Sequence, residues 1–167
     1  KEIDIIKNLG VKIMTKKALG THIRLEDLQK DFDAVYLAIG SWRATPMHIE
    51  GENLPGVWLG IQFLEQVTKQ ADVQVGDNVV VIGGGNTAID CARVALRKGA
   101  KSVKLIYRRT RAEMPAEPYE VEEALHEGVE MLFLMAPTSI VSEDGKKKLQ
   151  CIKMQLGEPD RSGRRRP

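Results

Sequence analysis

The sequence predicts an α/β fold: a parallel sheet with crossover helices, followed by an antiparallel pair of strands. Three observations predict it. The apolar run Val79–Ile82 drives into three consecutive glycines, Gly83, Gly84 and Gly85, and a helical pattern follows. Two more apolar runs, Val103 to Tyr107 and Val129 to Met135, are separated by a second helical pattern. Alternation of strand and helix is the mark of a parallel sheet, because parallel neighbours need a long crossover. Finally, Thr138 to Val141 and Leu149 to Gln155 flank the turn residues Glu143-Asp144-Gly145 and read as a hairpin.

In chain order, Glu2 to Asn8 carries Ile3, Ile5 and Ile6 at helical spacing, with Gly10 as the stop. Val11 to Met14 alternates as a short strand. Leu25 to Gln29 reads as a helical turn. Asp33 to Ile39 (DAVYLAI) reads as a buried strand that ends at Gly40. Ser41 to Gly60 holds Pro46, Gly51, Pro55 and Gly56, the composition of a connecting loop. Ile61 to Lys69 is expected to be helical, with Phe63, Leu64 and Val67 on one side. Gly76-Asp77 turns the chain into the glycine-loop strand.

The helix after the glycines spans Asn86 to Lys98. Ala88, Cys91, Ala92 and Ala95 give it one face of small side chains, which suits close packing on a sheet. Asp90 near its start and Arg97 and Lys98 at its end are expected to complement the helix dipole. Gly99 ends it. The next helix begins near Pro118, a favourable first-turn residue, and stops at Gly128, with Val121 and Leu125 inward.

Strand, glycine turn, helix and second strand together form a dinucleotide-binding unit, and the fold is therefore Rossmann-like. Gly83 permits the tight turn. Gly85 lets the backbone approach a pyrophosphate with no Cβ in the way. Ala88 stands at the third glycine position and allows the helix to lie close to the sheet. The helix N-terminus offers free N–H groups and positive dipole to phosphate. A site for NAD would place an Asp or Glu near the end of the second strand, about 20 residues past the loop. This sequence has Arg108 and Arg109 there, with Arg111 close behind. Guanidinium groups bind phosphate through charge-assisted, bidentate hydrogen bonds. The expected ligand is NADP(H), with its 2′-phosphate on these arginines. A lone glycine-rich turn is a common feature, and surface arginines are commonly just solvated; the strand, helix and basic strand end together lift the reading above both.

Composition narrows the alternatives. An apolar fraction of 43% in 167 residues supports a real core. A net charge of +2 is too small to imply a nucleic-acid or membrane partner. Cys91 and Cys151 form no CxxC, which argues against a zinc site, an iron–sulfur cluster or a disulfide framework within the chain. Cys91 is expected to be a small buried hydrophobe. His22, His48 and His126 show no ligand spacing, so no metal site is expected. The acidic helix with Glu117, Glu120, Glu122, Glu123 and Glu127 reads as a solvated face. No nucleophile–base arrangement points to a catalytic residue. Arg161, Arg164, Arg165 and Arg166 lack aromatic interleaving and read as a strand or loop cut short, not a nucleic-acid site. No apolar run approaches 18 residues and no signal peptide is visible, so a cytoplasmic location is expected. The chain opens at Lys1 inside a helical pattern and reads as a segment of a longer protein.

The motifs GGGNTAIDCAR and YRRTRAEMPA resemble the NADPH-binding domain of the glutamate synthase small subunit and its relatives. These are NADPH-dependent flavin and iron–sulfur oxidoreductases, dihydropyrimidine dehydrogenase among them. The resemblance runs back through DAVYLAIGSW and forward through EEALHEGVEMLFLMAPTSIV. It implies residues 1–40 as a partial FAD-domain segment, 41–75 as an interdomain crossover and 76–167 as an NADP(H)-binding domain, C-terminally incomplete. It implies that Gly83, Gly85 and Ala88 form the pyrophosphate turn, alongside Gly84, and that Asn86 and Thr87 open the helix beneath it. Arg108 and Arg109 would hold the 2′-phosphate, with Arg111 as a helper, and Ala38-Ile39-Gly40 would pass near a flavin. Electrons would pass from NADPH through FAD to iron–sulfur centres or a partner subunit. The sequence has one glycine-rich loop where the family has two, so the segment alone is expected to retain no FAD and little activity. The competing readings are a non-catalytic nucleotide-sensing or subunit-docking module, and a flavin-free dehydrogenase, for which no catalytic Tyr–Lys pair or His is apparent.

Overall fold

A computed structural model describes residues 2–70 and 72–167. The chain forms two compact units, Lys1–Ser41 and Trp42–Pro167.

The first unit holds helices α1 (Glu2–Asn8) and α2 (Leu25–Asp31), and none of its described residues is buried. Both helices form where expected, α2 two residues longer. The two strands expected here do not form. Val11 to Met14 has no ladder, and Val11, Ile13 and Met14 are about half exposed. Asp33 to Ile39 is likewise unladdered and is not buried: Tyr36 is 91% exposed and Ile39 67%. A strand exists only through its neighbours. Apolar patterning records what a segment would bury and says nothing about the partner, and no ladder among the described residues includes either segment.

The second unit begins with a loop and α3 (Gly60–Thr68), then β1 (Asn78–Ile82), α4 (Asn86–Arg97), β2 (Ser102–Tyr107), a 3-10 turn (Arg111–Glu113), α5 (Pro118–His126) and β3 (Glu130–Phe133). β1 pairs parallel with β2, and β2 with β3, in the spatial order β1-β2-β3. The sequence pattern predicted this sheet because each strand is followed by a helix that can return the chain to the same edge.

Helix α4 carries the core. Ala88, Ile89, Ala92 and Ala95 are buried against Val103 and Leu105 of β2 and against Val121 and Ala124 of α5. Ile89 is wholly buried, and its truncation to Ala would cost about 2–5 kcal/mol. Cys91 faces the other way and joins Phe63 of α3 and Val73 in a second cluster. Arg93 clamps α4 to α5: its Nε donates to Glu127 at 2.9 Å, and its guanidinium also pairs with Glu120. The acidic helix is therefore not merely solvated, since part of it serves this clamp.

β4 (Met135–Glu143) and β5 (Lys146–Lys153) form the expected hairpin, with longer strands than the sequence pattern marked. Its two-residue turn, Asp144-Gly145, has φ of 50° and 72°, the sign required for a turn that follows strand twist. The preceding loop docks on β4: the Ile140 N–H donates to the Glu50 carbonyl at 2.8 Å. Gly51 passes so close that a Cβ would overlap the Ile140 carbonyl. The C-terminal arginines, expected as a strand or loop cut short, lie in a small hairpin-like loop. Residues 157–166 close on themselves, with Gly157 N–H on the Arg166 carbonyl at 2.8 Å and Asp160 N–H on the Arg164 carbonyl at 2.7 Å. No helix among the described residues is long and apolar enough to cross a membrane.

Candidate functional site

Strand β1 delivers the chain into Gly83-Gly84-Gly85, and the three glycines answer to different demands. Gly83 has φ of +146°, which side-chain-bearing residues rarely adopt. Its N–H donates to the Ile106 carbonyl at 3.0 Å, and a Cβ would stand 2.9 Å from the Ala88 methyl. Gly83 and Ala88 are thus sized for each other. Gly84 is buried beneath Tyr107, whose ring lies 2.5 Å from the position of a Cβ. Both glycines serve the fold.

Gly85 does not. Its φ and ψ, −97° and 173°, suit any residue. The nearest atom to an added Cβ is Pro115 Cγ at 3.9 Å, an ordinary contact. Nothing within the described chain requires glycine here, so the missing side chain leaves backbone open to an external group.

The start of α4 adds charge. The Gly85 carbonyl accepts the Ala88 and Ile89 N–H groups at 2.9 and 3.2 Å, but glycine has no side chain to cap the first turn. The first turn also has no acidic residue. Asp90 is the fifth helical residue, beyond the turn in which a carboxylate offsets the dipole, so the expectation that it complements the helix start is corrected. The N–H groups and positive end of a 12-residue helix therefore remain for an anion.

The loop after β2 walls the turn. Ala116 N–H donates to the Gly84 carbonyl at 3.1 Å, and Glu117 N–H donates to Asn86 Oδ1 at 2.8 Å. Asn86 thereby latches the start of α4 to the start of α5, while Thr87 beside it is exposed. Tyr107 Oη donates to the Glu113 carbonyl at 2.9 Å. Glu113 accepts from the Thr110 hydroxyl and the Thr110 N–H, which holds its carboxyl below the usual range.

The three arginines differ in their partners. Arg108 is exposed, and no described residue hydrogen-bonds or ion-pairs with it. Arg109 is 5% exposed, and its Nη2 donates to Asp160 Oδ2 at 2.7 Å, leaving Nε buried without a partner among the described residues. Asp160 also accepts the Ser162 N–H at 2.8 Å and its hydroxyl; these bonds, with the Arg109 charge, hold its carboxyl down to about 2. Arg111 is exposed and paired with Glu122. Gly40 belongs to the first unit, is exposed and has φ of +65°.

Cys91 is buried, its thiol 3.6 Å from the Gly60 carbonyl, and burial followed by the Asp90 charge pushes it up to about 11. It is a packing residue. Among the described residues no group of three or more His, Cys, Asp or Glu could hold a metal. Sequence reasoning missed Asp160 and the Asn86 latch. Asp160 lay in a segment read only for its arginines, and a pairing between residues 51 positions apart leaves no local signal.

Residues 2–161 match the pyridine nucleotide-disulphide oxidoreductase family.

The chain belongs to that family.

It is 47% identical, over its whole length, to the NADPH-Fe(3+) oxidoreductase subunit beta of Geobacter sulfurreducens, covering 26% of that protein. It is 48% identical to the NADP(+)-dependent formate dehydrogenase subunit beta of Moorella thermoacetica, over 99% of the chain and 24% of the relative. It is 36% identical to the small chain of glutamate synthase [NADPH] of Escherichia coli (strain K12), over 98% of the chain and 37% of the relative. The chain thus spans about a quarter to two fifths of these proteins. Among solved structures, FprA of Mycobacterium tuberculosis in complex with NADPH shares its fold, with a TM-score of 0.66, 21% identity, and coverage of 89% of this chain and 49% of FprA. The Rossmann-like α/β fold and the family membership are as the sequence motifs implied.

Proposed function

We propose that the chain is the NADP(H)-binding portion of a flavin-dependent oxidoreductase. One observation carries the reading: at Gly85 the fold itself needs no glycine, yet the sequence leaves the backbone bare beside an unneutralised helix end. The residues fit the dinucleotide. Backbone N–H groups of Gly84, Gly85, Asn86 and Thr87 face the pyrophosphate, while that of Gly83 is taken by the Ile106 carbonyl. Ala88 keeps α4 close to the sheet beneath it. Arg108 takes the 2′-phosphate. Arg109 adds positive charge at the same strand end from a buried position, and Arg111 stands nearby as a second exposed cation. No Asp or Glu stands in the sequence directly after β2, and Asp160, which the fold brings to this strand end, is paired with Arg109.

The chemistry supplied by bound NADPH is hydride donation to a flavin. The chain contributes position: it anchors the adenosine half and so aims the nicotinamide. We assign residues 1–40 to part of the FAD domain, with Gly40 passing near the flavin, 41–75 to the crossover and 76–167 to the nucleotide domain. The division at Ser41 supports the first boundary. FAD binds to the longer protein and is not retained by this segment, which has one glycine-rich pyrophosphate turn. The names of the relatives as beta subunits and a small chain support a larger partner subunit, and we assign that partner or iron–sulfur centres as the downstream electron acceptor. Neither nucleic acid nor a membrane has a part in this reading, and the location is cytoplasmic.

The test is competition between the adenosine halves alone. 2′,5′-ADP should bind the chain more tightly than 5′-AMP, by about tenfold or more, from a charged hydrogen bond worth roughly 1.5–3 kcal/mol. Equal binding would overturn the NADP assignment. Purified alone, the chain should show no stoichiometric flavin absorbance and negligible NADPH oxidation; a yellow, active sample would contradict the division between the two sites.

A further inference from the structure

The arginines at the end of β2 are not three equivalent ligands. Arg109 is sealed: its side chain is 6% exposed and its guanidinium is held by Asp160. Arg111 is engaged by Glu122. Only Arg108 among the three has no partner in the described chain. Asp160 is itself fixed from its own side, by the Ser162 N–H, the Ser162 hydroxyl and the closed backbone of residues 157–166. The charge of Arg165, in that small hairpin, also helps to hold the Glu113 carboxyl low.

We propose that Asp160 is a positioning residue for nucleotide discrimination: it holds the Arg109 guanidinium inside the fold and thereby sets Arg108 as the guanidinium that takes the 2′-phosphate. The proposal rests on the dinucleotide reading above. A guanidinium cannot be left buried without a counter-charge, so Arg109 stays inside only while Asp160 is there. The Arg109 carbonyl accepts the Leu134 N–H at 3.2 Å, so its backbone is tied to the chain leaving β3. With backbone and side chain both fixed at Arg109, the preceding residue has little freedom, and Arg108 is presented outward. Without Asp160, Arg109 must seek solvent, and the strand end that aims Arg108 shifts with it. Asp160 therefore acts through Arg109, and Arg109 acts through Arg108 and not on the phosphate.

A double-mutant cycle tests this, read as the ratio of NADH to NADPH dissociation constants. Arg108→Ala should lower the ratio by about tenfold to a hundredfold, the loss of one charged hydrogen bond. Asp160→Ala and Arg109→Ala should each lower it severalfold while leaving the NADH constant within about twofold, a split that general loss of structure would not produce. The double variant should be no worse than the poorer single one, and Asp160→Glu should restore part of the ratio. If Asp160→Ala leaves the ratio unchanged or raises it, or if Arg109→Ala lowers it further in the Asp160→Ala background, Arg109 is a direct ligand and the proposal fails. Should Arg109→Ala prove unfolded, Asp160→Asn and Asp160→Glu decide alone: Asn, lacking the charge, must lower the ratio more than Glu. A wild-type ratio near one, or an Arg108→Ala ratio equal to wild type, would instead refute the underlying 2′-phosphate reading.

Discussion

Replacing Gly85 by Ala separates folding from binding. In the folded chain the new methyl would meet only Pro115 Cγ at 3.9 Å, and the backbone is already at φ −97° and ψ 173°. Two small effects then oppose each other. Ala restricts the unfolded chain, which stabilises by about 0.4–1 kcal/mol. Ala is also a poorer helix N-cap than Gly, by roughly 0.5–1 kcal/mol. The net change should be within about 1 kcal/mol, a shift of no more than about 4 °C in Tm for a chain of this size. Binding should change far more. A methyl in the space of a pyrophosphate is an overpacked contact, costing about 1–3 kcal/mol, so the dissociation constant should rise about 5- to 150-fold. NADH and NADPH share the pyrophosphate and should lose equally. Gly85→Val, with a branched side chain, should abolish binding of both. Calorimetric titration of each variant beside thermal melting provides both readings. A Gly85→Val protein that melts normally and binds NADPH normally would show that the pyrophosphate lies elsewhere. A large loss of Tm in Gly85→Ala would show that the turn is packed more tightly than described.

Gly84→Ala should behave oppositely, losing about 1–3 kcal/mol of stability because its methyl would stand 2.5 Å from the Tyr107 ring; melting that matches wild type would refute that packing. Arg93→Ala should lower Tm at neutral pH. Glu127 has its carboxyl held low chiefly by the Arg93 hydrogen bond, so that stabilisation is present above the unfolded value of about 4.3 and is lost as pH falls through the lowered folded value. The gap in Tm between variant and wild type should therefore narrow below about pH 4, and a constant gap would contradict the clamp. A thiol reagent at pH 8 should leave Cys91 unmodified until the chain unfolds, because its thiol is buried and pushed up to about 11; rapid labelling of Cys91 in the native chain would refute this.

What the sequence disclosed follows the range of the forces involved. The glycine turn, the small face of α4 and the hairpin turn at Asp144-Gly145 are local demands, and each residue states its own. The sheet followed because strand–helix–strand order leaves few topologies. Arg108 and Arg109 were equal as letters, since charge is visible in sequence and burial is not. Their separation into an exposed cation and a sealed one depends on Asp160, 51 residues away. Asn86 was readable as a helix opener, but its bond to Glu117 spans 31 residues and only the fold brings the two together. Asp33 to Ile39 failed for the converse reason: its apolar content was local, while a strand is a property of a pair.

The central claim is that the end of β2 reads the 2′-phosphate, and direct calorimetric titration of NADPH and NADH into the chain addresses it. NADPH should bind at least about tenfold more tightly, the least that one charged hydrogen bond supplies, and an Arg108→Ala, Arg109→Ala double change should remove most of that preference with little effect on NADH. Equal affinities for the two nucleotides in the wild-type chain would contradict the account.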